Sequence, residues 1–150
     1  PLRRKNRERI MSNQWIDLSS CRSLAVLLES VTAPLLIEHD APICLEIDVD
    51  TSIEVPADAD RTAELVRALT GQALSEMPHG GDLNITACET PQGVELELAD
   101  TGCDIQQRAT RLPLAAAAVG ANVSWQNCPQ GGAAVTVKFR RQAGQSRMAA

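Results

Sequence analysis

The chain has 150 residues, 44% of them apolar, which suits one well-packed domain and gives no reason to expect two. Its formal charge is −5; the opening stretch PLRRKNRER carries +4, leaving −9 for the rest, and an acidic body disfavours nucleic acid as the main partner. No run of eighteen apolar residues reads as a membrane span, and the basic start has no apolar segment behind it that would read as a secretory signal.

A first residue that is Pro rather than Met suggests a piece of a longer protein, and residues 1–14 read as a basic linker or helix end. QWIDLSS then reads as a short strand ending in cap residues. CRSLAVLLESVTAPLLIEHD has Leu24, Leu28 and Val31 at helical spacing, with Pro34 expected to kink or end that helix. In APICLEIDVD, Ile43, Leu45, Ile47 and Val49 face one way while Glu46 and Asp48 face the other, the pattern of a half-buried strand. VPADAD is turn-like. RTAELVRALTGQALSEM follows as a second helix with Leu65, Leu69 and Ala73 on its buried stripe, and PHGGD breaks it. LNITA and VELELAD alternate as two strands joined through CETPQG, a hairpin connector. A third helix, LPLAAAAVG, leads to ANVSW and AAVTVKF, a second hairpin joined through QNCPQGG. The tail, 142–150, reads as flexible.

This layout is a two-layer α/β sandwich: a mixed, mainly antiparallel sheet with three helices on one face. With one Phe and no Tyr, its core must be built from Leu, Val, Ile and Ala, with Trp125 as the largest member. Cysteines at 21, 44, 88, 103 and 128, with no Cys-x-x-Cys pair, read as reduced, mostly buried thiols of a cytosolic protein. His39 and His79, at a helix end and in a turn, read as surface residues.

LELADTGCDI, Leu96 to Ile105, raises the question of function, because a half-buried strand runs straight into a carboxylate and turn chemistry. A carboxylate there is costly unless something pairs with it. From Asp60 to Ile105 the chain resembles, without a gap, the ATP-binding domain of sensor histidine kinases, members of the Bergerat-fold ATPases. That family shows a helix D-R-L-x-Q-V-L-x-N-L-x-x-N-A, a Gly-Gly turn, a hairpin and D-T-G-x-G-I. The flanking elements extend the resemblance to about Trp15 to Arg140, so residues 15–141 are expected to form this one domain.

The resemblance implies that Asp100 accepts a hydrogen bond from the adenine amino group, with Gly102 letting the backbone pass close to the base and Ile105 closing the motif. Gln72 stands where the family's magnesium-binding Asn belongs, and Ala68 where an earlier Asn of the same box belongs. Gln72 falls on the inward stripe, but its extra methylene moves the amide by about 1.5 Å, and magnesium needs near-ideal bonds of about 2.0 to 2.1 Å. Ser75 replaces a basic residue, and Asp104 replaces the second glycine of the adenine loop.

The family's long lid is absent: QQRATRLPL bridges the gap directly, and Pro113 has no N–H to offer a phosphate. Arg108 and Arg111 are the candidate phosphate clamps, although two arginines on a short connector are more often solvated. The expectation is therefore a cytoplasmic kinase domain that binds ATP weakly or has lost it, with magnesium coordination lost or impaired. It would work with the phosphoacceptor and dimerisation helices of the same protein or with a response regulator, without contacting a membrane itself. The alternative is a pseudokinase or docking module that binds no ATP.

Overall fold

Alternation along ICLEID puts Ile43, Leu45 and Ile47 on one face of a strand, and that face is the partly buried one in the computed structural model, which describes residues 17–141. In chain order the elements are α1 (Leu24–Glu38), β1 (Ile43–Asp48), α2 (Ala59–Ser75), β2 (Gly81–Thr90) and β3 (Gly93–Asp100). A 3₁₀ turn (Ile105–Gln107), α3 (Leu114–Ala118), β4 (Ala121–Asn127) and β5 (Ala133–Arg140) complete them.

The strands form one sheet in the order β1-β2-β3-β5-β4, with β1 parallel to β2 and every other pair antiparallel. The parallel pair requires a crossover, and α2 supplies it; β2/β3 and β4/β5 are hairpins, while the antiparallel β3/β5 pair joins strands separated by the 3₁₀ turn, α3 and β4. Pro91 and Gln92 make the first hairpin turn, since Thr90 pairs with Gly93. Inward residues Leu83, Ile85, Leu96, Leu98, Val137 and Phe139 share one core with Leu24, Leu28 and Val31 of α1 and Leu65, Val66, Leu69 and Ala73 of α2. The result is a two-layer α/β sandwich on a mixed, mainly antiparallel sheet.

Several expectations change. Of the two outcomes expected at Pro34, a kink or an end, the helix does not end there: α1 runs through it to Glu38. Proline removes one donor, and that loss is outweighed by the burial of Leu27, Leu28, Val31 and Thr32 just upstream and the packing of Leu35 and Leu36 downstream. Residues 17–20 form a turn rather than a strand, because the Asp17 carboxylate accepts from the N–H and hydroxyl of Ser19. Among the described residues nearby, the extended pairing is a single bridge from Ser23, the N-cap of α1, to Glu54. Gln14 to Ile16, the linker 1–14 and the tail 142–150 lie outside the described residues.

Trp125 is half-buried against the core rather than at its centre, because β4 is an edge strand; the largest fully buried side chains are chiefly leucines. The five cysteines are free, yet none is buried. Cys44 and Cys88 occupy solvent-facing positions of β1 and β2, where period-2 alternation places them. His79 is exposed as expected, but His39 is half-buried, with Nε2 2.9 Å from the Met77 carbonyl oxygen, tying the end of α1 to the turn after α2.

Candidate functional site

Asp100 is the fourth residue in a series of inward positions on β3, after Val94, Leu96 and Leu98, so the alternation that builds the core also buries a carboxylate at its edge. Its side chain is 6% exposed. An unpaired charge there would be strongly disfavoured, and the chain provides its own partner. After the 3₁₀ turn the backbone extends at Arg108, and the Arg108 side chain folds back across the loop. Nη1 donates to Asp100 Oδ2 at 2.8 Å and Nη2 donates to Asp100 Oδ1 at 2.9 Å, a bidentate pair whose arginine is 7% exposed.

Two backbone groups complete the arrangement. The Gly102 N–H donates to Asp100 Oδ1 at 2.9 Å, and the Cys103 carbonyl accepts from Arg108 Nε at 3.0 Å and also from Nη2. The carboxylate holds the guanidinium above its already high ordinary pKa, with burial opposing it. Gly102 is required by close approach: a Cβ there would lie 2.8 Å from both Cβ and the carbonyl oxygen of Glu76, at the end of α2. Gly132, at φ +82°, lets the approach to β5 pass Asp100, since a Cβ would lie 1.9 Å from the Asp100 carbonyl oxygen.

Next to the pair, Cys103 Sγ donates to Glu76 Oε2 at 3.0 Å. That bond, then burial and the Glu76 charge, raise the thiol's pKa, while Arg108 opposes the shift. The connector is stapled at both sides: Ile105 N–H donates to Asn127 Oδ1 at 2.8 Å, Asn127 Nδ2 donates to Gln106 Oε1 at 2.9 Å, and Gln72 Nε2 donates to the Arg111 carbonyl at 2.9 Å.

The residues singled out by sequence are thus only partly assembled. Asp100, Arg108 and Gln72 line one pocket with Leu69, Ala73 and Trp125. Ala68 is half-buried on α2 outside that lining, Ile105 contributes its backbone, and the Arg111 side chain is exposed. Of the two expected phosphate clamps, Arg108 is therefore neither solvated nor free, being spent on Asp100. Sequence reasoning missed Glu76 and Asn127. Glu76 lies one helical turn after Gln72, a spacing that puts it on the same face and could have revealed it, whereas nothing marked Asn127.

The pocket has a volume of about 40 Å³, room for a few waters, against roughly 300 Å³ and more for small-molecule sites. Arg108 fills the place beside Asp100. The amide nitrogen of Gln72 is committed to Arg111, and among the described residues no group of three His, Cys, Asp or Glu side chains converges as a metal site would. No helix of the described residues is long and apolar enough to cross a membrane.

No protein-family model matches the sequence, and no curated protein matches it. Solved structures do. The histidine kinase AdeS of Acinetobacter baumannii superposes with a TM-score of 0.66 at 23% identity, over 89% of this chain and 75% of that one. A mycobacterial sensor histidine kinase, MprB, gives 0.64 at 15%, over 79% of this chain and 94% of that one. The nucleotide-free catalytic domain of histidine kinase ThkA gives 0.63 at 16%, also over 79% and 94%; ThkA has further been solved in complex with the response regulator TrrA. The chain thus has the fold of the catalytic, ATP-binding domains of sensor histidine kinases.

Proposed function

We propose that this chain is the ATP-binding domain of a two-component sensor histidine kinase, with Asp100 as the adenine acceptor and with eroded magnesium and phosphate sites. The observation that carries the reading is a carboxylate buried at the end of β3, facing a pocket between α2 and the β4–β5 edge, within a kinase-catalytic fold. A buried carboxylate is suited to recognise an exocyclic amine, and Gly102 brings backbone to its side. Asp100, Gly102 and Ile105 form the adenine end. Gln72 and Ala68 stand on the helix that would face the metal and phosphates, and Arg108 and Arg111 are the cations nearest to where phosphates would lie.

ATP is the ligand of this reading, held without a competent magnesium site. The working partners are the phosphoacceptor and dimerisation helices of the same protein or a response regulator, and the setting is the cytoplasm. Calorimetric titration of the 150-residue chain with ATP, with and without magnesium, tests it alongside Asp100→Ala, checked for folding by circular dichroism. Weak binding, indifferent to magnesium and abolished in Asp100→Ala, is the expected result. Micromolar binding that requires magnesium would refute the erosion, and binding unaltered in Asp100→Ala would refute the adenine role.

A second reading, a pseudokinase or docking module that binds no ATP, is favoured by one observation: Arg108 occupies both oxygens of Asp100 and leaves a cavity of only about 40 Å³.

A further inference from the structure

The Asp100–Arg108 pair is more than a neutralising contact, because of where the two residues sit. Asp100 is at the end of a rigid strand held on both sides, by Leu83 of β2 and Ala133 of β5. Arg108 is on the connector 101–113, whose regular structure is one three-residue turn. The fixed partner is therefore the carboxylate, and the movable one is the guanidinium. The connector's staples to Asn127 and Gln72 are exposed hydrogen bonds, which open at small cost, whereas the plug at their centre is buried.

An adenine amino group approaching Asp100 meets an Arg108 bond on each oxygen and a third donor, Gly102 N–H, on Oδ1. A neutral amine on the carboxylate brings no opposite charge, whereas the guanidinium adds Coulomb attraction to two parallel N–H bonds, one to each oxygen. Binding of the base must also bear the cost of freeing the arginine, which lowers apparent affinity by the fraction of molecules with the site open.

We propose that Arg108 is an internal occupant of the adenine-binding carboxylate, so that the 101–113 connector closes the nucleotide pocket and adenine enters only when the guanidinium leaves Asp100. The inference rests on the reading of Asp100 as the adenine acceptor. It makes the connector an autoinhibitory strap: a short segment that supplies the plug for the site it borders. It also accounts for the expected weakness of ATP binding through competition at the base rather than only through missing phosphate contacts.

The test is calorimetric titration of the 150-residue chain with adenosine and with ATP, in wild type, Arg108→Ala, Arg108→Gln and Asp100→Ala. Arg108→Gln retains a donor for Asp100 and guards against misfolding of the alanine variant. Adenosine is the decisive probe, because it has no phosphate for Arg108 to bind. The expected result is adenosine affinity at least tenfold higher in the folded Arg108 variants than in wild type, and none in Asp100→Ala. Asp100-dependent adenosine binding of equal strength in wild type and the Arg108 variants would overturn the strap and leave the adenine reading standing. Absence of adenosine binding from wild type and from every folded Arg108 variant would remove the adenine reading and the strap with it.

Discussion

At the scale of single residues, energetics centre on four buried or part-buried polar groups. Asp100 and Arg108, 6% and 7% exposed, are each the other's neutralising partner. Removing one member leaves an uncompensated charge, so Arg108→Ala is expected to cost about 3 to 5 kcal/mol in urea denaturation. Replacing both with apolar side chains of similar volume, Asp100→Leu with Arg108→Met, is expected to be near neutral; a double-variant loss as large as the single one would show that packing, not charge, sets the cost. Thr70 is fully buried on α2, and among the described residues its Oγ1 has no hydrogen-bond partner. Thr70→Val removes that unsatisfied hydroxyl, and a gain of about 1 kcal/mol in thermal unfolding is expected. Cys103 has its thiol pKa raised, first by the bond to Glu76. A raised folded-state pKa means that this term stabilises the fold below the ordinary thiol pKa and is lost as pH rises through the raised value. Glu76→Gln removes both the carboxylate acceptor and its charge, so Cys103 should ionise more readily and be alkylated faster at pH 8, read by mass spectrometry on the labelled peptide.

At the scale of elements, α2 links core to site. Its inward face is Leu65, Val66, Leu69 and Ala73, and Leu69 and Ala73 also line the pocket, so one helical stripe serves both. Leu69 is 1% exposed, and Leu69→Ala is expected to cost about 2 to 5 kcal/mol in chemical denaturation. A loss under about 0.5 kcal/mol would mean that the stripe is not core. Helical periodicity located α2 because its faces differ in polarity, with Asp58 capping the start through a 3.0 Å bond from Arg61 N–H. The same reasoning left open whether Pro34 kinks or ends α1, because a sequence shows the missing donor but not the neighbours that hold the next turn in place; the helix continues through it to Glu38.

At the scale of the molecule, the sheet has one face under the helices and one towards solvent, where Glu95 and Lys138 meet across β3 and β5 at 3.7 Å, a pair exposed enough to add little. The same division decides thiol chemistry. Cys44 and Cys88 lie on the solvent side and are exposed, while Cys21, Cys103 and Cys128 are half-buried. A disulfide-exchange reagent should therefore modify Cys44 and Cys88 first in the native protein, and all five thiols after denaturation without added reductant. Prompt reaction of Cys128 at the same rate would contradict the assigned burial.

Period 2 and period 3.6 were enough to mark the five strands of the sheet, the two long helices and the inward position of Asp100, because these patterns are local and repeat wherever one face must leave water; at 17–20 the period-2 reading gave a strand where a turn forms. The two-layer sandwich followed from the order of those elements. What the chain could not disclose by itself was the pairing of β5 between β3 and β4, which depends on contacts far apart in sequence, and the fate of Arg108. An arginine on a short connector is ordinarily solvated; here a buried carboxylate eight residues earlier has, among the described residues, no other cation within bonding distance, and only the folded loop brings the guanidinium back onto it. Tertiary structure decides that contact because the desolvation of Asp100, which makes the pair worth forming, exists only once α2 and the sheet have closed around it.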